Sequence, residues 1–216
     1  MFKKYGFANV FLAFLLLICL CILAVTLINK DNVTAYFQEQ KTTHEQGMQK
    51  RIEESSIIYK YLYQIQEKYN ASAIAIGEFH NGNTNVSGLP FNFFSITYEY
   101  NSSAFVLNSG KTLAERYKGM NTSIFNSLSY VYKKGYMYGN LAYVDNFDRI
   151  LYIKLKEEGS KFIYIVAFPN RNLGFLWLTF ENEPDKSIQK NILDDVFRLS
   201  LDISPMLDYK TSNIKT

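Results

Sequence analysis

Residues 162–180, FIYIVAFPNRNLGFLWLTF, contain the clearest structural pattern in this 216-residue chain. Two apolar runs, Phe162–Phe168 and Gly174–Phe180, enclose the segment Pro169–Leu173, in which a proline and two asparagines favour a turn. Apolar runs of this length joined by so short a segment predict a β-hairpin. We therefore expect these two runs to be neighbouring strands of one sheet.

Two more strands are predicted upstream of the hairpin. Ala71–Phe79 and Phe91–Tyr100 have the composition of strands. The residues between them, His80–Pro90, are rich in Asn, Gly, Ser and Pro, which is typical of a loop.

The region between these strands and the hairpin is mixed. Met120–Lys133 predicts a helix, and Tyr138–Val144 predicts a strand. Residues 149–157 fit either a strand or a short helix, and residues 101–118 are ambiguous.

Helices are predicted at both ends of this part of the chain. The first has an apolar face with helical spacing, formed by Ile57, Ile58, Tyr61, Leu62 and Ile65. The closing helix starts after Pro184 and stops at Pro205. Its expected buried face consists of Ile188, Ile192, Val196, Leu199 and Ile203.

The order of these elements predicts an α+β domain over residues 52–207. We expect an antiparallel sheet with the first and the last helix on one of its faces. This order resembles the GAF/PAS class of sensor domains, in which N- and C-terminal helices also flank the sheet.

A long uncharged run precedes this domain. Tyr5–Asn29 carries no charged side chain, and a helix of about 20 apolar residues is long enough to cross a bilayer. We therefore predict a transmembrane helix over residues 7–28. The residues of this span would include Phe7, Val10, Phe11, Phe14, Leu17, Leu20, Leu23, Leu27 and Ile28.

The flanking charges predict the topology. Lys3 and Lys4 lie next to the terminal amine, whereas Lys30 is offset by Asp31, so we expect the N-terminus to be cytoplasmic. This divides the chain into a short cytoplasmic tail (1–6), the span (7–28), a polar stalk (29–51), the extracytoplasmic domain (52–207) and a flexible tail (208–216). Further basic residues in the stalk leave the reversed topology open.

Composition argues against several functions. Without the three lysines of the first 30 residues, 20 basic side chains face 20 acidic ones, so no nucleic-acid surface is expected. Cys19 and Cys21 both lie in the apolar run, and the only histidines are His44 and His80. A cysteine-free domain with so few histidines predicts no metal site.

Catalytic motifs are also missing from the sequence. It has no G-x-S-x-G, H-E-x-x-H, P-loop or G-x-G-x-x-G pattern. The paired carboxylates Glu53-Glu54, Glu157-Glu158 and Asp194-Asp195 fall on polar positions and are interpreted as solvated surface. We therefore expect no enzyme activity, no catalytic residues and no cofactor.

The loop after the first strand is the sharpest local feature. One interpretation is a ligand or partner loop, in which Glu78 orients His80. Its candidate residues are Glu78, His80, Asn81, Gly82, Asn85 and Gly88. The other interpretation is a structural turn, in which Asn81-Gly82 supplies a positive φ.

The combination of a short N-terminal tail, one span and an outer α+β domain resembles the T-even phage holin family. This resemblance implies a lysis timer in the bacterial inner membrane. Copies would contact lipid, form homo-oligomers and release endolysin, while the periplasmic domain would receive an antiholin.

A second function fits the same sequence. The chain would be a membrane-anchored GAF/PAS-like sensor or binding module for a small ligand or a partner protein. A reversed topology, with the domain in the cytoplasm, remains a third possibility.

Overall fold

The computed structural model describes residues 6–28, 30–84, 90–103, 105 and 110–207. The chain divides into two compact units, Met1–Lys50 and Arg51–Thr216. Helix α1 spans Phe7–Ile28, and helix α2 spans Lys30–Tyr69.

The structure shows that the prediction of a transmembrane helix is wrong. Among the described residues, none of the helices combines the length and the hydropathy needed to cross a membrane. The inner-membrane location and the periplasmic placement of the domain are contradicted with it.

The second unit is built on an antiparallel sheet with the strand order β3-β2-β1-β6-β5-β4. Its strands are β1 (Ala73–Thr84), β2 (Pro90–Asn101), β3 (Met120–Asn121), β4 (Tyr136–Asn140), β5 (Phe162–Ala167) and β6 (Gly174–Phe180).

The predicted hairpin over residues 162–180 is confirmed as β5 and β6. Every residue of the two strands is buried, on both faces of the sheet. The turn after β5 requires a glycine where β6 begins. Gly174 has a φ of 138°, and a Cβ there would lie 1.9 Å from the carbonyl oxygen of Gly77 on β1.

Helices cover both faces of the sheet. On one face, α2 and the closing helix α7 (Lys186–Leu207) bury Ile58, Leu62, Ile192 and Val196 against β1, β5 and β6. On the other face lie the shorter helices α3 (Leu113–Arg116), α4 (Asn126–Lys134), α5 (Leu141–Phe147) and α6 (Arg149–Glu157).

The boundaries of several elements differ from the sequence-based expectation. The strand predicted to reach Val144 ends at Asn140, because the Asn140 side chain accepts from the backbone N–H of Tyr143 (3.1 Å) and starts α5. Pro205 does not stop the closing helix, which continues to Leu207. Most of the predicted loop after residue 79 is strand, since β1 and β2 remain paired as far as Thr84 and Pro90.

A buried aspartate joins two of the short helices. Asp148 is 1% exposed. One carboxylate oxygen accepts from the backbone N–H (2.9 Å) and the hydroxyl (2.6 Å) of Ser127 in α4. The other accepts from the N–H of Leu151 in the first turn of α6 (3.0 Å). One side chain therefore satisfies the N-terminal groups of two helices.

Replacing this carboxylate should be costly. We expect Asp148→Ala to lower the free energy of unfolding by about 3 kcal/mol, because three donors lose their acceptor in a buried place. Denaturation in urea measures the change. Asp194→Ala, at an exposed position of α7, is the matched control and should change stability by less than about 0.5 kcal/mol. Equal losses in the two variants would refute this role of Asp148.

Candidate functional site

The structure gives the predicted loop residues separate partners. Glu78 forms an ion pair with Arg51 of α2. His80 Nε2 lies 3.0 Å from the hydroxyl of Ser95, and its ring stacks on Phe93 with centroids 6.1 Å apart.

The remaining candidates of this region contribute no described side chain. Asn81 and Gly82 belong to β1 rather than to a turn, and only their backbone placement is described. Asn85 and Gly88 lie outside the described residues. Whether this hairpin binds a ligand or a partner stays a prediction.

A small polar network ties α2 to the sheet beside Glu78. Arg51 Nε donates to the hydroxyl of Tyr98 (3.2 Å), and its guanidinium lies 5.5 Å from the Tyr98 ring centroid. The hydroxyl of Ser55 lies 3.1 Å from the same tyrosine oxygen. These contacts position α2 on β1 and β2, which is a structural role.

A different group of polar side chains lies in the interior, on the sheet face that carries α3 to α6 and in the turn after α6. Within the described part of the chain, several of its buried polar atoms have no hydrogen-bond partner: Asn101 Oδ1, Glu158 Oε2, Ser160 Oγ, Trp177 Nε1 and Thr179 Oγ1. Together with Tyr117, the residues that carry these atoms are called the inner polar cluster.

The strand register places three members of the cluster around β1. Ala73 lies opposite Asn101 on one side and Thr179 on the other. One pair further along, Ala75 lies opposite Trp177. Directly opposite residues share a face of the sheet. The alanines of β1 therefore lie next to these polar residues on one face of the sheet.

Helix ends supply two further members, and Ser160 lies in the turn after α6. Tyr117 follows the last residue of α3, and Glu158 follows the last residue of α6. The Tyr117 hydroxyl donates to Glu158 Oε1 over 2.6 Å, and the Tyr117 ring lies 5.0 Å from the Trp177 ring. Tyr117 thus links the buried carboxyl to the sheet.

Burial controls the electrostatics of this pair. Desolvation raises the pKa of the Glu158 carboxyl to about 7, although the Tyr117 hydroxyl and the charges of Arg116 and Lys154 act in the opposite direction. Desolvation also raises the pKa of Tyr117 well above its ordinary value, with the nearby Glu158 charge as the next cause. Tyr117 therefore keeps its proton at neutral pH and remains a donor.

A cleft of about 450 Å³ lies at one end of the sheet. Ser102 and Phe180, which directly follow Asn101 and Thr179, are among its lining residues. The end of α2, the start of β1 and the segment before α7 complete the lining. Successive residues of a strand point to opposite faces, and Phe180 packs with α2 and α7 on the face opposite to that of Thr179. The cleft is therefore separate from the inner polar cluster.

The described residues contain no group of three or more His, Cys, Asp or Glu that could hold a metal ion. Cys19 and Cys21 are both in α1. The expectations of no catalytic residue and no cofactor stay predictions.

The sequence did not reveal the inner polar cluster. Glu158 was expected on the surface beside Glu157, but it is only 2% exposed. The available signal was Gly159, whose φ of 74° ends α6 and turns the chain back toward β5. A glycine at this position indicates the end of a helix, which predicts that Glu158 lies in the turn that leads into the core.

Comparison with solved structures identifies the fold. The GAF domain of PixJ from Thermosynechococcus elongatus superposes with a TM-score of 0.52 at 12% identity, covering 73% of this chain and 86% of that chain. A far-red cyanobacteriochrome photoreceptor gives 0.50 at 10% identity, covering 78% and 98%. A GAF-domain region from Geobacter sulfurreducens PCA gives 0.50 at 8% identity, covering 73% and 97%.

These likenesses show a GAF fold, and at such identities they show the fold alone. The predicted resemblance to the GAF class is confirmed. The resemblance to phage holins has no support in the comparisons. No protein-family model and no curated protein matches the chain.

The raised pKa of Glu158 makes stability depend on pH. The folded chain holds this proton up to about pH 7, whereas the unfolded chain releases it near pH 4.5. Between these values the folded state binds more protons, so stability falls as pH rises. Relative to Glu158→Gln, the unfolding free energy of the parent should fall by about 3 kcal/mol across this interval.

Urea denaturation at a series of pH values measures this difference. Above about pH 7 the two curves should run parallel again, because both states of the parent are then ionised. Curves that are parallel throughout the acidic range would show that Glu158 does not hold its proton in the folded state.

Proposed function

We propose that the second unit is a sensor or binding module, and that a small polar ligand binds at the inner polar cluster. The observation that carries this proposal is the set of buried polar atoms without partners described above. The GAF fold of the neighbouring structures supports it at the level of architecture.

The free-energy cost of these buried atoms favours a bound ligand as their hydrogen-bond partner over a purely structural role of the side chains. A buried polar group without a hydrogen bond costs about 1–3 kcal/mol, and native proteins contain few of them. Glu158, Trp177 and Thr179 are at most 2% exposed, so bulk solvent does not satisfy them. Side chains that weaken the fold in this way are typical of functional sites.

The surroundings resemble a ligand site in composition. Aromatic rings form the wall next to the polar atoms. The Phe94 ring lies 6.0 Å from Tyr117 and 5.4 Å from Phe175. Small-molecule sites commonly combine such apolar walls with a few convergent polar groups.

The available groups define what the ligand must offer. Glu158 Oε2 in its ionised form and Asn101 Oδ1 accept hydrogen bonds, Trp177 Nε1 donates, and the two hydroxyls do either. A complementary molecule therefore carries both donors and acceptors. We infer that the module acts by binding rather than by catalysis; homo-oligomers, an antiholin partner and the lack of nucleic-acid binding remain predictions.

The proposal predicts opposite effects of one substitution on stability and binding. Thr179→Val replaces a buried hydroxyl that has no partner by a methyl group of similar size. We expect the variant to gain about 1 kcal/mol of stability and to lose ligand binding. Thermal denaturation gives the stability. Trp177, the only tryptophan, reports binding by its fluorescence in a screen of neutral polar metabolites.

Thr97→Val is the matched control, since Thr97 is exposed on β2. It should leave both the stability and the screen unchanged within about 0.5 kcal/mol and within error. A destabilised Thr179→Val variant would contradict the proposal. So would a screen in which no compound alters the Trp177 emission of the parent.

A further inference from the structure

We propose that the inner polar cluster is a proton-operated switch: protonation of Glu158 converts its free oxygen, Oε2, from a hydrogen-bond acceptor into a donor. The proton step stands on the geometry of the Tyr117–Glu158 pair. Its consequence for ligands rests on the proposed function.

Tyr117 determines which carboxyl oxygen carries the proton. Its hydroxyl donates to Oε1 over 2.6 Å, and it is fully buried. Because the pKa of Tyr117 is raised well above its ordinary value, this donor persists at neutral pH. A proton added to the carboxyl therefore resides on Oε2, which has no partner. Ionised carboxylates only accept hydrogen bonds, whereas a protonated carboxyl also donates one.

The charges around Glu158, together with its burial, set its pKa near neutral pH. From α3, Arg116 favours the ionised form; from α6, Lys154 favours it and Glu157 opposes it. Desolvation is the largest opposing effect. The balance gives the carboxyl a pKa of about 7, so small changes of pH in that range change its protonation.

The switch changes what the cluster accepts. In the protonated state it presents donors at Glu158 Oε2 and Trp177 Nε1, which suit a carbonyl or carboxylate group of a ligand. In the ionised state Oε2 accepts, which suits an N–H or O–H group. One site therefore has opposite hydrogen-bonding preferences on the two sides of neutral pH.

Infrared difference spectroscopy on the full chain tests the proton step without any ligand. The parent should show the carbonyl band of one buried protonated carboxyl, which disappears with a midpoint near pH 7. In Glu158→Gln that band should be absent at every pH. The Trp177 fluorescence should follow the same midpoint in the parent, because the Tyr117 ring joins it to the carboxyl.

Two further variants should move the midpoint in opposite directions. Tyr117→Phe removes a hydrogen bond that lowers the pKa of Glu158, so its midpoint should rise. Glu157→Gln removes a negative charge that raises this pKa, so its midpoint should fall. A merely structural change would not give opposite shifts. His80→Gln, at a residue outside the inner polar cluster, is the control and should leave the midpoint in place.

The switch is refuted if the parent shows no such band between about pH 5 and about pH 9, or if the band persists in Glu158→Gln. Its failure is distinct from a failure of ligand binding. If the screen finds a ligand but the Glu158 carboxyl shows no titration, the binding module is supported and the switch is refuted. If Glu158 titrates but no ligand is found, the proton step is supported and the binding module is refuted.

Discussion

The complete burial of β5 and β6 is the constraint on which the rest of the second unit depends. Neither strand has a polar face, so the sheet needs a helical layer on each side. Helices α2 and α7 provide one layer, and the short helices α3 to α6 provide the other. Gly174 allows β6 to approach β1 closely, so that β1 and β6 pair at the centre of the sheet.

The two layers differ in a way that matters for function. The layer of α2 and α7 consists of two long helices that cover an extended apolar core. The layer of α3 to α6 consists of short helices, whose ends bring Tyr117 and Glu158 into the interior. Asp148 satisfies its donors there completely, whereas the inner polar cluster keeps atoms without partners. On the proposed function, stability and binding depend on different polar groups of this one layer.

Sequence patterns predicted the elements of the fold that depend on local periodicity. The hairpin over residues 162–180 and the GAF-like element order could be predicted, because apolar runs and turn residues are local signals. The transmembrane interpretation of residues 7–28 was overturned. The site was missed because the burial of Glu158 follows from tertiary packing around Gly159 rather than from the charge of its neighbours. The strand register that aligns Asn101 and Thr179 across Ala73 also has no local signature.

The central claim is that the inner polar cluster binds a molecule that satisfies its free atoms. A high-resolution crystal structure of the full chain, purified without denaturation, tests it most directly. Density for a bound molecule larger than water is expected within hydrogen-bonding distance of Glu158 Oε2 and Trp177 Nε1. Density showing these two atoms paired with other protein groups, or with isolated waters alone, would contradict it.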